Sequence, residues 1–463
     1  MQHKFGALDL IRAGLQDLDR ARTLFDELHN DGIDDDRMRL LLATLEKACD
    51  PDIALSNLVD IIKVMQSQGK DFTNIIADEN SFVRLITVLG VSDEMGKLMR
   101  FRPELVEAAA NDACESHLYN HEQRRAHVLK SVGADPNDHT MPTASLPLAE
   151  AATALRKTYR KQLAAIMAQD ATANDPIEIQ PRISTELSDL ADAALEGALA
   201  IARHEVDGSE HVRFAIIGMG KLGAQELNYV SDVDLIYVVE PADMDTNGMA
   251  LSRIGTKMAT TLQRVCQSVI MGVAEPTLWQ IDGGLRPEGK DGPLVRRLES
   301  HEAYYEQWAE NWEFQALLKA RPVAGDTDLG QAYMDMTRPF VWTASKRDNF
   351  VYDCQQMRKR VEDLIPNPLK DREIKLGRGG LRDVEFTVQM LQLVHGRSDE
   401  ALRTSSTLES LQALAEGGYV SRKQAKKLSW DYRFERVWNT ASKCGAQTHP
   451  PVPRPRQSQR WRS

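Results

Sequence analysis

The chain has no surplus of basic charge: Lys and Arg total 57 against 68 Asp and Glu in 463 residues, a formal net charge of −11, and aromatic residues are only 6%. Proteins that coat nucleic acid draw their affinity from excess cations on phosphate, so this balance argues against that class while leaving room for a local basic site for a small phosphorylated ligand. Cysteine is also scarce. Cys49, Cys114, Cys266, Cys354 and Cys444 form no Cys-x-x-Cys pair, which argues against a disulfide framework or a zinc module and points to a reducing compartment. No apolar run approaches the ~20 residues needed to cross a bilayer. The N-terminal MQHKFGALDLIRAGLQDLDRARTLFDEL puts acids and apolar residues at helical spacing where a signal peptide would carry a basic segment and a continuous apolar stretch. A cytoplasmic protein without membrane contact is expected.

What is present is globular: 42% hydrophobic and 27% charged residues, in a length equal to roughly three domains. Residues 1–130 read as successive amphipathic helices (Leu40, Leu41, Leu45; Phe82, Leu85, Ile86, Leu89). The turn-rich stretch 131–147 reads as a linker, and 148–205 returns to helix. At Val212 the character changes: VRFAIIG and VDLIYVVE are two strand-length apolar runs around a glycine-bearing turn, and TLWQIDGGLRP is a third candidate strand. An α/β core is therefore placed at 206–330. A helical segment follows at 331–440, with capping boxes at Ser406-x-x-Glu409 and Ser421-x-x-Gln424 and a stop at Gly417 and Gly418. Residues 441–463, rich in proline and arginine, read as disordered. The fold class expected is α+β, mostly helical, with a small mixed sheet.

The segment Gly218-Met-Gly-Lys-Leu-Gly223, followed by Ser231-Asp232-Val-Asp234, carries the chemistry. Side chains alternate along a strand, so Asp232 and Asp234 project to one side with Val233 and Leu235 opposite. Paired carboxylates repel unless a divalent cation sits between them, and hard oxygen donors suit Mg²⁺ or Mn²⁺ held jointly with substrate phosphates. Asp282 could complete a site for two metals. Lys221 lies in the phosphate-facing turn. Arg286, Lys290, Lys319 and Arg321 follow downstream and are the charges a triphosphate or nucleotide ester needs; Arg296 and Arg297 read as a solvated basic face. The loop Ile374-Lys-Leu-Gly377-Arg378-Gly379-Gly380-Leu-Arg382-Asp383 precedes an apolar helix, where such a loop can grip an anion or merely turn the chain.

Two other patterns compete. Gly218-x-Gly220-x-x-Gly223 with Glu240 at the end of the second strand matches a dinucleotide fingerprint and an NAD-binding oxidoreductase. That unit needs a crossover helix, and only Lys221 to Tyr229 is available for one. Cys114-x-x-His117-x-x-x-His121 puts three metal-ligand types on one helical face without a fourth, and reads as an ordinary helix.

GMGKLGAQELNYVSDVDLIYVVE, IDGGLRPEGKDGPLV, WEFQALLKARPVAGD and IKLGRGGLRDVEFTVQMLQLVHG, in this order, resemble the glutamine synthetase adenylyltransferase and adenylyl-removing enzyme family, as does the upstream LITVLGVSDEMGKLMRFRPELV. The resemblance covers roughly Phe82 to Phe434. It implies a polymerase-β-like nucleotidyltransferase core in which Asp232, Asp234 and Asp282 bind two Mg²⁺ ions. Gly218, Gly220, Lys221, Ser231, Arg286, Lys319 and Arg321 are then expected at the phosphates of ATP, ADP or inorganic phosphate. It also implies glutamine synthetase as protein substrate and the PII signalling protein as a partner. Family members carry two such cores, one attaching AMP from ATP to a tyrosine and one removing it with phosphate to give ADP. The helical leader and the form IKLGRGGLRDVEF look more like the removing half. Gly283 and Gly284 stand where the family pattern Asp-x-Arg-Leu-Arg-Pro has a bulkier residue and an arginine. The switch into the proline-arginine tail after Phe434 suggests a truncated or frame-shifted product, with an inert regulatory fragment as the alternative to an active enzyme.

Overall fold

The computed structural model describes residues 5–70, 72–110, 120–243, 247–363, 365–366 and 373–444. The chain divides into two compact units, residues 1–103 with 438–463, and residues 104–437. In the first unit the helices are α1 (Ala7–Arg12), α2 (Leu18–Asn30), α3 (Asp35–Leu45), α4 (Pro51–Ser67), α5 (Thr73–Ala77), α6 (Glu79–Val91) and α7 (Asp93–Phe101). Their starts are written in the sequence: Asp17, Asp34, Asp50, Asp78 and Ser92 each accept a backbone N–H of the first helical turn, which satisfies donors the helix cannot. Leu28, Leu41, Leu58, Leu85 and Leu89 form a buried interior.

The second unit opens with α8 (Glu104–Ala110), α9 (His121–Ser131), α10 (Leu148–Ala171) and α11 (Pro176–Glu205). Residues 132–147 lie inside this unit: Arg125 donates to the carbonyls of Pro136 and Asp138, and the Ala144 N–H donates to Ala200 O at 3.0 Å. Then come β1 (Val212–Gly218), α12 (Gly220–Gly223), β2 (Val233–Pro241), α13 (Gly248–Gln267), β3 (Ile281–Asp282) and β4 (Val295–Arg296). After them follow α14 (Leu298–Gln307), α15 (Asn311–Leu317), β5 (Arg321–Gly325), α16 (Thr327–Thr343), α17 (Phe350–Asp363), α18 (Leu381–His395), α19 (Thr407–Glu416) and α20 (Arg422–Cys444). Ser406 caps α19 and Ser421 accepts the Gln424 N–H before α20, as their spacing predicts. Residues 445–463 lie outside the described residues. No helix among the described residues is long and apolar enough to cross a membrane.

The sheet is small and mixed, with order β3-β2-β1-β5 and β4 also on β2. β1 pairs antiparallel with β2 and β5, while β3 and β4 run parallel to β2. Alternate residues feed two layers. Phe214, Ile216, Val233, Leu235 and Tyr237 pack with α9–α11 and α13, whereas Ala215, Ile217, Ile236 and Val238 pack with Tyr305, Phe314 and Tyr333 of α14–α16. Burial on both faces is why the two strands read as nearly continuous apolar runs. The antiparallel pairing also removes the dinucleotide-binding alternative. Gly218 stands opposite Leu235 and the connection holds only the four-residue α12, so there is no crossover helix. Glu240, the ribose acid of that alternative, instead pairs with Arg297 and accepts the Leu298 N–H at 3.0 Å.

The turn leaves no room for side chains at two glycines. Gly220 has φ +54°, and a Cβ on Gly223 would lie 1.8 Å from the Lys319 carbonyl oxygen. Gly223→Ala is expected to lower stability by ~3 kcal/mol, at the upper end of overpacking effects. A urea melt would read this, with Gly248→Ala, where a methyl meets nothing within 4 Å, as the neutral control. Equal midpoints for the two variants would contradict the packing described.

Candidate active site

β1 delivers the chain to Gly218, and the Met219 N–H then donates to the Asp234 carbonyl at 2.9 Å, locking the turn onto β2. The backbone comes close enough that a Cβ on Gly220 would stand 2.5 Å from Asp234 Oδ2. On the other edge of β2, Asp234 is the register partner of Asp282 in β3. Parallel register partners present their side chains to the same face, so these two carboxylates are neighbours. Asp232, one residue before β2, is exposed, as is Asp282, while Asp234 is part-buried. Ser231 Oγ donates to the Asp232 carbonyl, and Asp282 Oδ1 accepts the Gly284 N–H at 2.7 Å.

Electrostatics tie the acids together. Burial, then the Asp282 charge, push the Asp234 carboxyl up to about 6, with Asp232 adding to the rise and Arg382 and Lys375 opposing it. Three carboxylates and two cations therefore act on one point. A divalent cation suits this donor set, because hard oxygens are available and the like-charge repulsion at Asp234 is what a cation relieves. The trio is open: the group among the described residues whose three donor atoms all lie within 4.8 Å of one another is instead His121, Asp189 and Asp192.

Behind the turn lies a buried ionic network. Lys221 Nζ donates to Glu385 Oε1 at 2.5 Å, and Arg382 Nη1 donates to Glu385 Oε2 at 3.2 Å. The Tyr432 hydroxyl stands 3.0 Å from both Glu385 Oε1 and Glu226 Oε2. Lys319 Nζ reaches Glu226 Oε2 and Thr407 Oγ1, each at 3.1 Å, and the Thr407 N–H donates to Glu226 Oε1 at 2.7 Å. Arg436 closes the cluster on the Glu226 carbonyl at 2.8 Å and on Ser184 Oγ at 2.9 Å. Burial alone would raise the Glu385 carboxyl, but Lys221, Lys319 and Arg382 hold it well below the usual carboxylate range. Burial draws the Lys221 amine down to about 7 against the pull of Glu385.

This network involves residues that the sequence reading expected at substrate phosphates. Lys221 and Lys319, expected at substrate phosphates, spend their charge on Glu385 and Glu226. Arg321 grips Asp192 with both terminal nitrogens, at 2.7 and 3.1 Å, and donates to the carbonyls of Leu222 and Gly223. Arg286 donates to the carbonyls of Gly283, Lys290 and Gly292, holding the loop after β3. Buried cations need partners, and in each case the protein itself supplies them. Gly220 lies against Asp234, whereas Gly218 pairs with Leu235 and faces Val323 and Leu222, and Ser231 precedes Asp232 in the chain. Lys375, Arg382, Glu226, Glu385 and Tyr432 were not assigned to the site from sequence. The glycine-rich loop was the signal for the first two; Glu226 and Glu385 lie within the segments that carry the family resemblance, but nothing in their spacing marks them as partners of Lys319 and Lys221, and Tyr432 lies outside those segments.

Cys114 and His117 lie outside the described residues. His121 Nε2 stands 3.4 Å from Asp192 Oδ2, and Asp192 is already neutralised by Arg321, while Gln225 donates to Asp189. The cluster is therefore an ion-pair site. Its hydrogen bond to Asp192 raises the His121 pKa above the ordinary 6.5, against the effect of burial.

The family model of glutamate-ammonia ligase adenylyltransferase matches residues 82–336, and that of the GlnD PII-uridylyltransferase matches residues 355–441. The chain is similar to the bifunctional glutamine synthetase adenylyltransferase/adenylyl-removing enzyme of Bifidobacterium longum strain DJO10A, at 76% identity over 434 residues, 94% of this chain and 40% of that protein. The protein of the same name from Cutibacterium acnes is 44% identical over 431 residues, 93% of this chain and 43% of its own length. That of Corynebacterium glutamicum is 42% identical over 432 residues, 86% of this chain and 39% of its own length. The chain thus spans about two fifths of the length of these relatives.

Glu385→Gln strands Lys221 and Arg382 and is expected to cost ~3–5 kcal/mol in a denaturant melt, the range for breaking a buried pair. Glu385→Leu combined with Lys221→Met should lose less than the two single changes summed. The His121 contribution belongs to the protonated ring, so it is present below pH 6.5 and lost as pH rises through the raised value. His121→Gln should therefore lower Tm at about pH 5.5 and change it little at about pH 9; an equal effect at both would contradict the pairing.

Proposed function

Because the chain belongs to the glutamate-ammonia ligase adenylyltransferase family, we propose that its acid cluster is the metal-binding centre of a polymerase-β-like nucleotidyltransferase acting on glutamine synthetase. The observation that carries this reading is the register of Asp234 opposite Asp282, with the Gly220 backbone against the Asp234 carboxylate. Asp232, Asp234 and Asp282 would hold Mg²⁺, two ions in the family arrangement. A bound cation would draw charge from the phosphoryl oxygens and steady the leaving oxygen. Gly220, with no Cβ against the Asp234 carboxylate, would let the backbone approach the phosphates, with Gly218 two residues before it in the turn and Ser231 next to Asp232.

The direction proposed is adenylyl removal, supported by the helical leader and by the loop form IKLGRGGLRDVEF. An oxygen of orthophosphate attacks the phosphorus of the adenylyl-tyrosine ester. The bond from phosphorus to the tyrosine oxygen breaks, that oxygen takes the proton given up by phosphate, and ADP leaves. The protein's own part is to hold the attacking phosphate oxygen and the leaving tyrosine oxygen in line across the adenylyl phosphorus and to balance their charge. The reading places the protein in the cytoplasm, and the family resemblance alone makes PII a proposed partner.

The test supplies adenylylated glutamine synthetase, orthophosphate and Mg²⁺ and follows ADP. Asp232→Ala and Asp234→Asn should each lower the rate by ~10²–10³, the scale seen when one preorganised charge-stabilising group is removed. ADP formed equally by wild type and variants would overturn the assignment. AMP incorporation from ATP into unmodified glutamine synthetase, without ADP formation, would establish the opposite direction.

A further inference from the structure

An acid cluster repels the phosphate it has to work on, so the site needs cations, and Lys221, Arg286, Lys319 and Arg321 are committed elsewhere. The loop before α18 brings cations to the turn beside Asp234: Arg382 shares Glu385 with Lys221 of that turn, and its N–H bonds the Lys375 carbonyl. We propose that Lys375 and Arg382 form the anion-binding arm of this site and hold the attacking orthophosphate opposite the three acids. The proposal rests on the adenylyl-removal reading and assigns that reaction its second substrate's site.

The loop is built to present these two side chains together. The Arg382 N–H donates to the Lys375 carbonyl at 3.1 Å and the Leu381 N–H to the Ile374 carbonyl at 3.0 Å, which sets the two residues side by side. Gly380 permits the crossing, since a Cβ there would lie 2.1 Å from Ile374 O. Asp383 ties the loop by accepting the Gly379 N–H and Arg358 Nε, each at 2.5 Å, and Arg358 also donates to the Gly377 carbonyl. The arm is anchored to the turn through one carboxylate. Gly220 touches Asp234, the adjacent Lys221 donates to Glu385 Oε1, and the other Glu385 oxygen holds Arg382. Glu385 is thus a positioning residue.

Arg382 is half committed. Its Nη1 is on Glu385, but its Nε, though buried, meets no acceptor among the described residues. Its side chain is 37% exposed, so the guanidinium is held to the protein through Nη1 while part of the side chain reaches solvent. A guanidinium so placed offers its remaining N–H groups and its charge to a phosphate oxygen, while the Lys375 ammonium adds a point charge. Together they offset the repulsion between the attacking phosphate and the adenylyl phosphodiester as the new P–O–P bond of ADP forms and the tyrosine oxygen leaves with its proton.

The experiment measures KM for orthophosphate and, separately, KM for adenylylated glutamine synthetase, in wild type, Lys375→Gln, Arg382→Gln and Arg382→Lys. The glutamine variants should raise the phosphate KM ~10-fold or more and leave the protein-substrate KM within ~2-fold, with Arg382→Lys in between. A thermal melt of each variant separates this from misfolding, and Lys375→Gln, outside the Glu385 contacts described, keeps the test open if Arg382→Gln unfolds. An unchanged phosphate KM, or a fall confined to kcat, overturns the arm. If wild type forms no ADP, the adenylyl-removal reading fails instead, and equilibrium dialysis of radiolabelled orthophosphate against the same proteins decides the arm. Binding by wild type that the glutamine variants lose upholds it; no binding, or binding unchanged, refutes it.

Discussion

The fold depends on two buried carboxylates, Glu226 and Glu385, that three cationic side chains, Thr407 and Tyr432 satisfy, most of them from places far apart in the chain. Lys221 and Glu385 are 164 positions apart, and Tyr432 reaches across 206 positions to Glu226. Buried charges are tolerated only when paired and hydrogen-bonded, so the helices after β5 have little freedom in where they meet the sheet. α18 must bring Glu385 to the turn after β1, α19 must bring Thr407 to Glu226, and α20 must bring Tyr432 between the two.

This constraint has a consequence for chemistry. Lys221, drawn from the glycine turn beside the acids, spends its charge on Glu385 and so binds the C-terminal helices to the core. The sheet contributes the acids through register, Asp234 beside Asp282, and the clamped helices contribute the loop with Lys375 and Arg382. On the proposed reading the two halves depend on each other: acids alone repel phosphate, and the cations alone offer no place for a metal.

Much of the sheet was legible in the sequence. VRFAIIG and VDLIYVVE became β1 and β2 because both faces of the sheet are buried, and the short connection between them excluded a crossover helix. The alternation that put Asp232 and Asp234 on one side is a local property of extended backbone. β5 was not legible: Arg321 stands out in the sequence only as a cation, whereas the chain turns at Lys319 and pairs Arg321 with Gly218. β4, two residues long, carries too little pattern to see. The partners of the cations were hidden for a different reason. A lysine beside glycines looks the same in sequence whether it meets a phosphate or a glutamate brought in by a later helix, and only the pairing of distant elements distinguishes them.

The most direct measurement of whether Asp232, Asp234 and Asp282 form one cation site is Mn²⁺ binding followed by electron paramagnetic resonance of the free ion in the full chain. The account predicts that wild type removes free Mn²⁺ from solution and that Asp234→Asn and Asp282→Ala each abolish this uptake while the protein remains folded. Uptake unchanged in both variants would contradict it.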